Sequence, residues 1–336
     1  MKKALCLLLI ACLLPLGGCG NRIELAFMAV CLGVDIDEAG VTLTVKSPDY
    51  GSGRKGYATL QATGADWTEA VAALYAAAPV TPQFSQLREA VIGAESLNHT
   101  DALTLLDRLD QLPGLRAHAL VTVCPGRAAD LVSAMAPEIG RRLSRYLDMS
   151  RQHDAQQGSL PETTLSEALR DLSGPWRDPI LDYGDGAEDI GGYALGSAGH
   201  ALLSRQEVQL YRLARGQGQT LLLKAGGQTY GVESRGAPTL RVEADDTLVL
   251  HLPVYIAYSL YDAPPGEAAA QALREALTGL IIRLQAAGCD ALGFGCQAAR
   301  RYGTLQQWLA ADWPGRYRRA SLRVEIDARP RQQPLL

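Results

Sequence analysis

The residues best placed to undergo chemistry in this sequence stand near its start. In "LLPLGGCGNRIEL" a cysteine, Cys19, directly follows two glycines, and the chain then turns polar. Met1, Lys2 and Lys3 form a basic start, and Ala4 to Leu16 are apolar apart from two cysteines and Pro15. That run is about thirteen residues, short of the roughly 20 that a membrane-spanning helix needs. A basic start, a short apolar core and small residues make a signal peptide. The order Leu16-Gly17-Gly18-Cys19 is a lipobox. The thiol of such a cysteine is joined to diacylglycerol, and cleavage at the small residues leaves it first in the chain. Two palmitate-class acyl chains would supply the double signal that stable anchoring needs, at about 0.8 kcal/mol per buried CH₂. The expectation is a protein tethered to the extracytoplasmic face of a membrane. Its only attached group would be the diacylglycerol on Cys19, with no cofactor.

Elsewhere the residue types do not assemble a reaction. There is no GxSxG nucleophile elbow, P-loop or HExxH. "GGYALGSAG" has the wrong glycine spacing for a dinucleotide loop and reads as a turn. Asp182, Asp185, Glu188 and Asp189 have oxygens enough for calcium, but their spacing is not that of an EF-hand, and they read as a solvated linker. Asp35 and Asp37 in "GVDID" read as turn residues after a strand. Arg316, Arg318 and Arg319 in "PGRYRRASLRVEID" read as the charged face of an edge strand. The alternative is contact with anionic headgroups, at about 1 kcal/mol per basic residue. The five histidines are scattered and there is no CxxC pair, so spacing supports no metal site. Beyond the signal and the anchor, four cysteines remain: Cys31, Cys124, Cys289 and Cys296. An oxidising location permits disulfides. Cys31 and Cys124 nevertheless sit in apolar strand-like runs, which favours free thiols.

The formal net charge is −4, and becomes −6 when Lys2 and Lys3 leave with the signal. That mild acidity argues against nucleic acid as a partner. The chain is long for one core and suggests two or three domains. "VTLTVK" alternates as a half-buried strand, and "GYATLQATG" reads as its partner after a Gly-rich turn. Asp66 with Glu69 forms a capping signature for a helix whose stripe is Ala70, Val71, Leu74, Tyr75 and Ala78. "LREAVIG" and "RAHALVTVC" are strands. "HTDALTLLDRLDQLPG", "GRAADLVSAM", "PEIGRRLSRYLDMSR" and "PETTLSEALRDLSG" are helices. "SGPWRDPILDYGDGAEDIGG" lacks periodicity and reads as a linker, followed by a small strand-and-helix module. In the last part Leu248, Leu250, Leu252, Val254 and Ile256 share one strand face, and Pro253 marks an edge or bulge. Leu273, Leu277, Leu280, Ile281 and Leu284 make a helical core stripe. "SLRVEID" is a strand, and the tail "RPRQQPLL" reads as disordered. The outcome is an α+β (mixed α/β) protein. Its parts are a signal peptide at 1–18, an N-terminal α/β domain at 19–173, a linker and small middle domain at 174–235, a C-terminal α/β domain at 236–330 and a tail at 331–336.

Three stretches in order carry a family resemblance. "GCGNRIELAFMAVCLGVDID" resembles the start of the Ger(x)C spore germination lipoproteins, with Cys19, Arg22, Glu24, Leu25, Gly33, Asp35 and Asp37 in the pattern. Gly20 stands where that family usually has tryptophan, and Asn21 where it has aspartate. "TPQFSQLREAVIGAESL" is similar to the stretch leading to the family's valine-isoleucine-glycine strand. "GCDALGFGCQAARRYGTLQQWLAADWPGRY" resembles its C-terminal signature through Asp290, Gly293, Phe294, Gly295, Arg300, Trp308 and Trp313. The resemblance implies the C subunit of a nutrient germinant receptor in the spore inner membrane, folded as three mixed α/β domains. It also implies that the subunit is not an enzyme and assembles with two integral membrane subunits. Small nutrients would be sensed by the whole complex, and whether this subunit touches them is left open. In this reading Trp308, Trp313 and the loop from Asp290 to Gly295 shape either a contact surface or a local core, the buried role being favoured. Two other classes compete. A solute-binding lipoprotein of a transport system should show two similar lobes. An envelope hydrolase should show a nucleophile with its base.

The anchor is testable directly. Cys19→Ala is expected to yield a precursor that takes up no labelled fatty acid; a variant that is still labelled would refute the lipobox.

Overall fold

The computed structural model of the chain describes residues 27–49, 56–135, 160–184, 191–217, 220–259 and 264–332, with positions 149, 153 and 158. Cys19, Arg22, Glu24 and Leu25, the acidic residues Asp185, Glu188 and Asp189, and nearly all of "PEIGRRLSRYLDMSR" lie outside the described residues.

Alternation of apolar and polar residues builds the first sheet. Its strands are β2 (Cys31–Asp37), β3 (Gly40–Asp49), β4 (Gly56–Gly64), β6 (Glu89–Gly93), β7 (Leu120–Cys124), β8 (Ile180–Tyr183), β9 (Gly191–Gly196) and β10 (Gly199–Ser204). A two-residue β1 (Phe27–Met28) pairs separately with β5 (Pro82–Gln83). The sheet order is β10-β9-β8-β7-β6-β2-β3-β4. The four central strands, β2, β6, β7 and β8, run parallel, and antiparallel pairs finish each side. On one face Leu32, Val34, Leu43, Val45, Ile92, Val121, Val123 and Leu181 are fully or almost fully buried. They share a core with α1 (Trp67–Ala77), α3 (Ala102–Asp110) and α5 (Leu165–Ser173). A single turn, α2 (Ser96–His99), follows β6. The expected cap holds: the Asp66 carboxylate accepts the Glu69 N–H at 2.9 Å, and Glu69 accepts the Ala65 N–H at 3.0 Å.

The other face is also buried and mixes polar groups with a small apolar cluster that includes Cys31, Val91, Cys124 and Val132, so β3 is not half-buried as its alternation predicts. Period two places Asp35, Thr42, Thr44, Lys46, Glu89, Thr122 and Asp182 there, all buried. α4 (Ala128–Ala134) lies on this face. Lys46 donates to the Ser133 carbonyl of α4 at 2.7 Å, and Thr122 donates to Glu89 at 2.6 Å. Burial lowers the pKa of the Lys46 ammonium. Asp35 is no turn residue. It sits inside β2, and its two oxygens accept the N–H groups of Ala128 and Ala129 at 2.7 and 2.9 Å, capping α4 from a distant strand. Asp37 does hold the turn, accepting the Ala39 N–H at 2.8 Å.

Pairing continues past residue 173, where the sequence reads as a linker. β8 lies next to β7, and Asp182 is fully buried, accepting the Glu162 N–H at 2.8 Å. "GGYALGSAG" is the β9–β10 hairpin of the same sheet. From there α6 (Arg205–Ala214) turns to a second core. This core lies against β11 (Leu221–Ala225), β12 (Gln228–Ser234), β13 (Thr239–Val242), β14 (Leu248–Tyr258) and β15 (Leu322–Gln332). β14 is the spine: β12 and β13 pair antiparallel along one side, and β15 pairs parallel along the other. Pro253 is therefore interior rather than at an edge. It falls where pairing passes from β13, which ends opposite His251, to β12, which begins opposite Val254. There no ladder partner asks for its missing N–H. The tail is ordered further than expected, since Arg331 and Gln332 pair with Ala257 and Tyr258. α7 (Glu267–Ala287) lays the expected stripe, Leu273, Leu277, Leu280, Ile281 and Leu284, on this sheet.

Leu277 is fully buried in that stripe. Leu277→Ala is expected to cost about 2–5 kcal/mol in chemical unfolding. Asp35→Ala, which uncaps α4, should cost about 1–3 kcal/mol; an unchanged midpoint for Asp35→Ala would deny the capping role.

Candidate functional site

α7 ends at Gly288, in the left-handed conformation, and the next turn brings Asp290 inside. An ionised carboxylate is costly to bury unless its lone pairs are filled. Here they are. Oδ1 accepts the N–H groups of Gly293 and Phe294 at 3.0 and 2.9 Å, while Oδ2 accepts the Gly295 N–H at 2.6 Å and the Trp313 indole N–H at 3.0 Å. Gly293 has φ +85, a backbone that L side chains rarely adopt. A Cβ on Gly295 would come within 2.8 Å of both the Trp176 carbonyl and the Trp313 indole nitrogen. Phe294, fully buried, opens α8 (Phe294–Ala298), and a 3₁₀ turn at Ala299–Arg301 follows. Burial pushes the Asp290 carboxyl up to about 7, against the pull of its four donors, and the charge of Asp178 adds to the rise.

The two tryptophans of the signature lie on short helices, Trp308 within α9 (Leu305–Ala310) and Trp313 at the start of α10 (Trp313–Arg319). Trp308 is 2 % exposed and Trp313 5 %. Trp308 donates its indole N–H to the Pro175 carbonyl at 3.1 Å and stacks on Trp176, with ring centroids 5.6 Å apart. Trp313 lies 5.7 Å from Trp308 and 6.0 Å from Tyr317, and Tyr302 meets Trp308 edge-on at 5.6 Å. The lead-in to β8 is stitched to the same loop: the Asp290 N–H donates to the Asp178 carboxylate at 2.7 Å, and the Asp178 N–H to the Asp290 carbonyl at 3.3 Å. Arg177 donates to both carboxylate oxygens of Asp171, from Nε at 2.9 Å and from Nη2 at 2.6 Å to each. A cavity of about 360 Å³ opens between the 174–178 segment and the α9–α10 region.

The structure thus brings Asp290, Gly293, Phe294, Gly295, Trp308 and Trp313 into one buried cluster. Sequence reasoning missed Trp176, Asp178 and Tyr317. For the first two the signal was a tryptophan and an aspartate inside a Pro- and Gly-rich stretch, "GPWRDP", set aside as a linker, while Tyr317 stands in "PGRYRRASLRVEID", read for its arginines and its strand. Arg316 is on helix α10, not on a strand. It pairs with Asp246 at 2.5 Å, donates to the Tyr302 hydroxyl and lies over the Trp313 ring. Arg318 and Arg319 are exposed. Among the described residues the four thiols form no disulfide, and Cys31, Cys124 and Cys289 are buried. Among the described residues no group of three or more His, Cys, Asp or Glu could hold a metal ion, and no helix is long and apolar enough to cross a membrane.

Known proteins bear on this arrangement. Residues 21–185 match the family model described as the spore germination protein N-terminal domain. No curated protein matches the chain. A solved structure described as the crystal structure of the GerBC protein superposes with a TM-score of 0.52 at 13 % sequence identity, covering 89 % of this chain and 96 % of that one. That likeness is one of fold, a mixed α+β architecture.

Two measurements probe the cluster. Trp308→Ala is expected to cost about 3–5 kcal/mol of stability; a variant that melts like the wild type would place Trp308 outside the core. For Asp290, a folded pKa raised above the unfolded value means that the native state binds the proton more tightly. Its contribution to stability therefore falls as pH rises from the ordinary carboxylate range to about 7. The stability difference between wild type and Asp290→Asn should move toward the variant over that window and flatten above it. A difference that does not vary with pH would mean the donors keep the carboxylate ionised throughout.

Proposed function

We propose, since the chain belongs to the Ger(x)C-type family of spore germination proteins, that it is the lipoprotein subunit of a membrane nutrient germinant receptor and is not itself an enzyme. The observation that carries this reading is the family match over residues 21–185, which begins two positions after the lipobox cysteine. In this reading Cys19 carries diacylglycerol, and the folded part stands on the extracytoplasmic face of the spore inner membrane beside two integral membrane subunits. An anchor confines the chain to the plane of its partners and raises their effective concentration without a spanning helix. The compact loop around Asp290 suits a rigid subunit, because a fully satisfied buried carboxylate permits few alternative packings.

The test is an affinity pull-down of the tagged full-length protein from detergent-solubilised spore inner membrane. Two polytopic membrane proteins are expected with it. Recovery alone, or with an ATPase and permease of a transport system, would overturn the assignment.

A further inference from the structure

The cavity beside Asp290 has a chemical character of its own. Its walls include four aromatic rings, Trp176, Trp308, Trp313 and Tyr317, of which only Trp176 is substantially exposed, at 38 %. Three carboxylates also line it, Asp178, Asp290 and Asp312. The one lining guanidinium, Arg177, is already matched by Asp171.

The three acids are not equivalent. Asp290 is saturated by four donors and offers no free lone pair. Asp312 caps α10 by accepting the Gly315 N–H at 3.3 Å. Asp178 is partly buried and uses Oδ2 on the Asp290 N–H, while among the described residues its Oδ1 carries no hydrogen bond. The Tyr317 hydroxyl is buried, with no hydrogen-bond partner among the described residues. Burial and the neighbouring negative groups raise its pKa well above the usual phenol range, so it stays neutral and can accept as well as donate.

We propose that this cavity is a binding site for a small organic cation: an ammonium group received at Asp178, carried on an apolar or aromatic body that lies against the tryptophan wall. Indole faces attract cations and repel anions. The surplus of carboxylates acts in the same direction. A bare metal ion is poorly served, because it needs several converging oxygens and the wall is mostly carbon. The volume of about 360 Å³ is in the range of small-ligand pockets, roughly 300–1,000 Å³. This inference does not rest on the receptor reading, since the cavity is formed by this chain alone.

The test is isothermal titration calorimetry of the full-length protein in detergent with three probes of one shape: phenethylammonium, 2-phenylethanol and 3-phenylpropanoate. The cation should bind saturably, roughly tenfold or more tighter than the alcohol, and the anion should give no saturable heat. Asp178→Asn keeps an oxygen for the Asp290 N–H and should lose about tenfold in cation affinity while melting like the wild type. Trp176→Ala, at the exposed side, should weaken the cation and the alcohol together. No saturable binding by any probe, equal binding of the anion, or a well-folded Asp178→Asn with unchanged cation affinity would each overturn the proposal. Since the pull-down reads partners and this titration reads a ligand, either can fail alone.

Discussion

A buried carboxylate organises the C-terminal half of this molecule. Asp290 is 3 % exposed, and although burial pushes its carboxyl up to about 7, it can be held there only because its two oxygens meet four N–H groups. Meeting that condition dictates local structure. Three successive backbone N–H groups must converge, which requires the left-handed Gly293 and leaves no room for a side chain on Gly295. The fourth donor is an indole, so Trp313 must enter the core with its ring edge toward the loop. Trp308 then packs between Trp313 and Trp176, and the segment before β8 is drawn onto the same cluster. One electrostatic requirement thereby fastens the second core to the segment that leads into β8, an inner strand of the first sheet.

Much of the fold was legible because its signals are local. The alternation in "VTLTVK", the cap at Asp66 and the stripe from Leu273 to Leu284 all appear within a few residues of one another. What escaped has its cause at long range. Asp35 looks like a turn residue because the helix it caps begins at Ala128. β8 has only four residues and is covered on both faces, so it offers no long alternation to read. Pro253 suggested an edge, whereas the gap between two shorter strands accommodates it. In the site, Asp290, Gly293, Gly295 and the two tryptophans could be singled out by resemblance. Trp176 and Asp178 could not, since they reach the cluster only through the folded position of β8.

The first sheet carries a different constraint on its second face. Lys46, Glu89, Thr122 and Asp182 are charged or polar and buried there, where an unmatched group costs far more than a matched one returns. The Lys46 contact with Ser133 and the Thr122 contact with Glu89 tie adjacent elements through directional bonds. Beside them an apolar cluster that includes Cys31, Val91, Cys124 and Val132 fills the rest of the layer.

The spine strand β14 bears on how the chain must assemble. Its antiparallel neighbours, β12 and β13, precede it and are available as soon as it emerges from synthesis. β15, which completes its other side along eleven residues, comes only after α7 and the whole Asp290–Trp313 region. Until that last segment arrives, β14 presents a long unpaired edge, the kind of surface that recruits foreign strands. Truncation anywhere before Leu322 would leave that edge permanently open. Nascent chains are therefore most vulnerable to aggregation and to proteolytic surveillance in the final stage of their production.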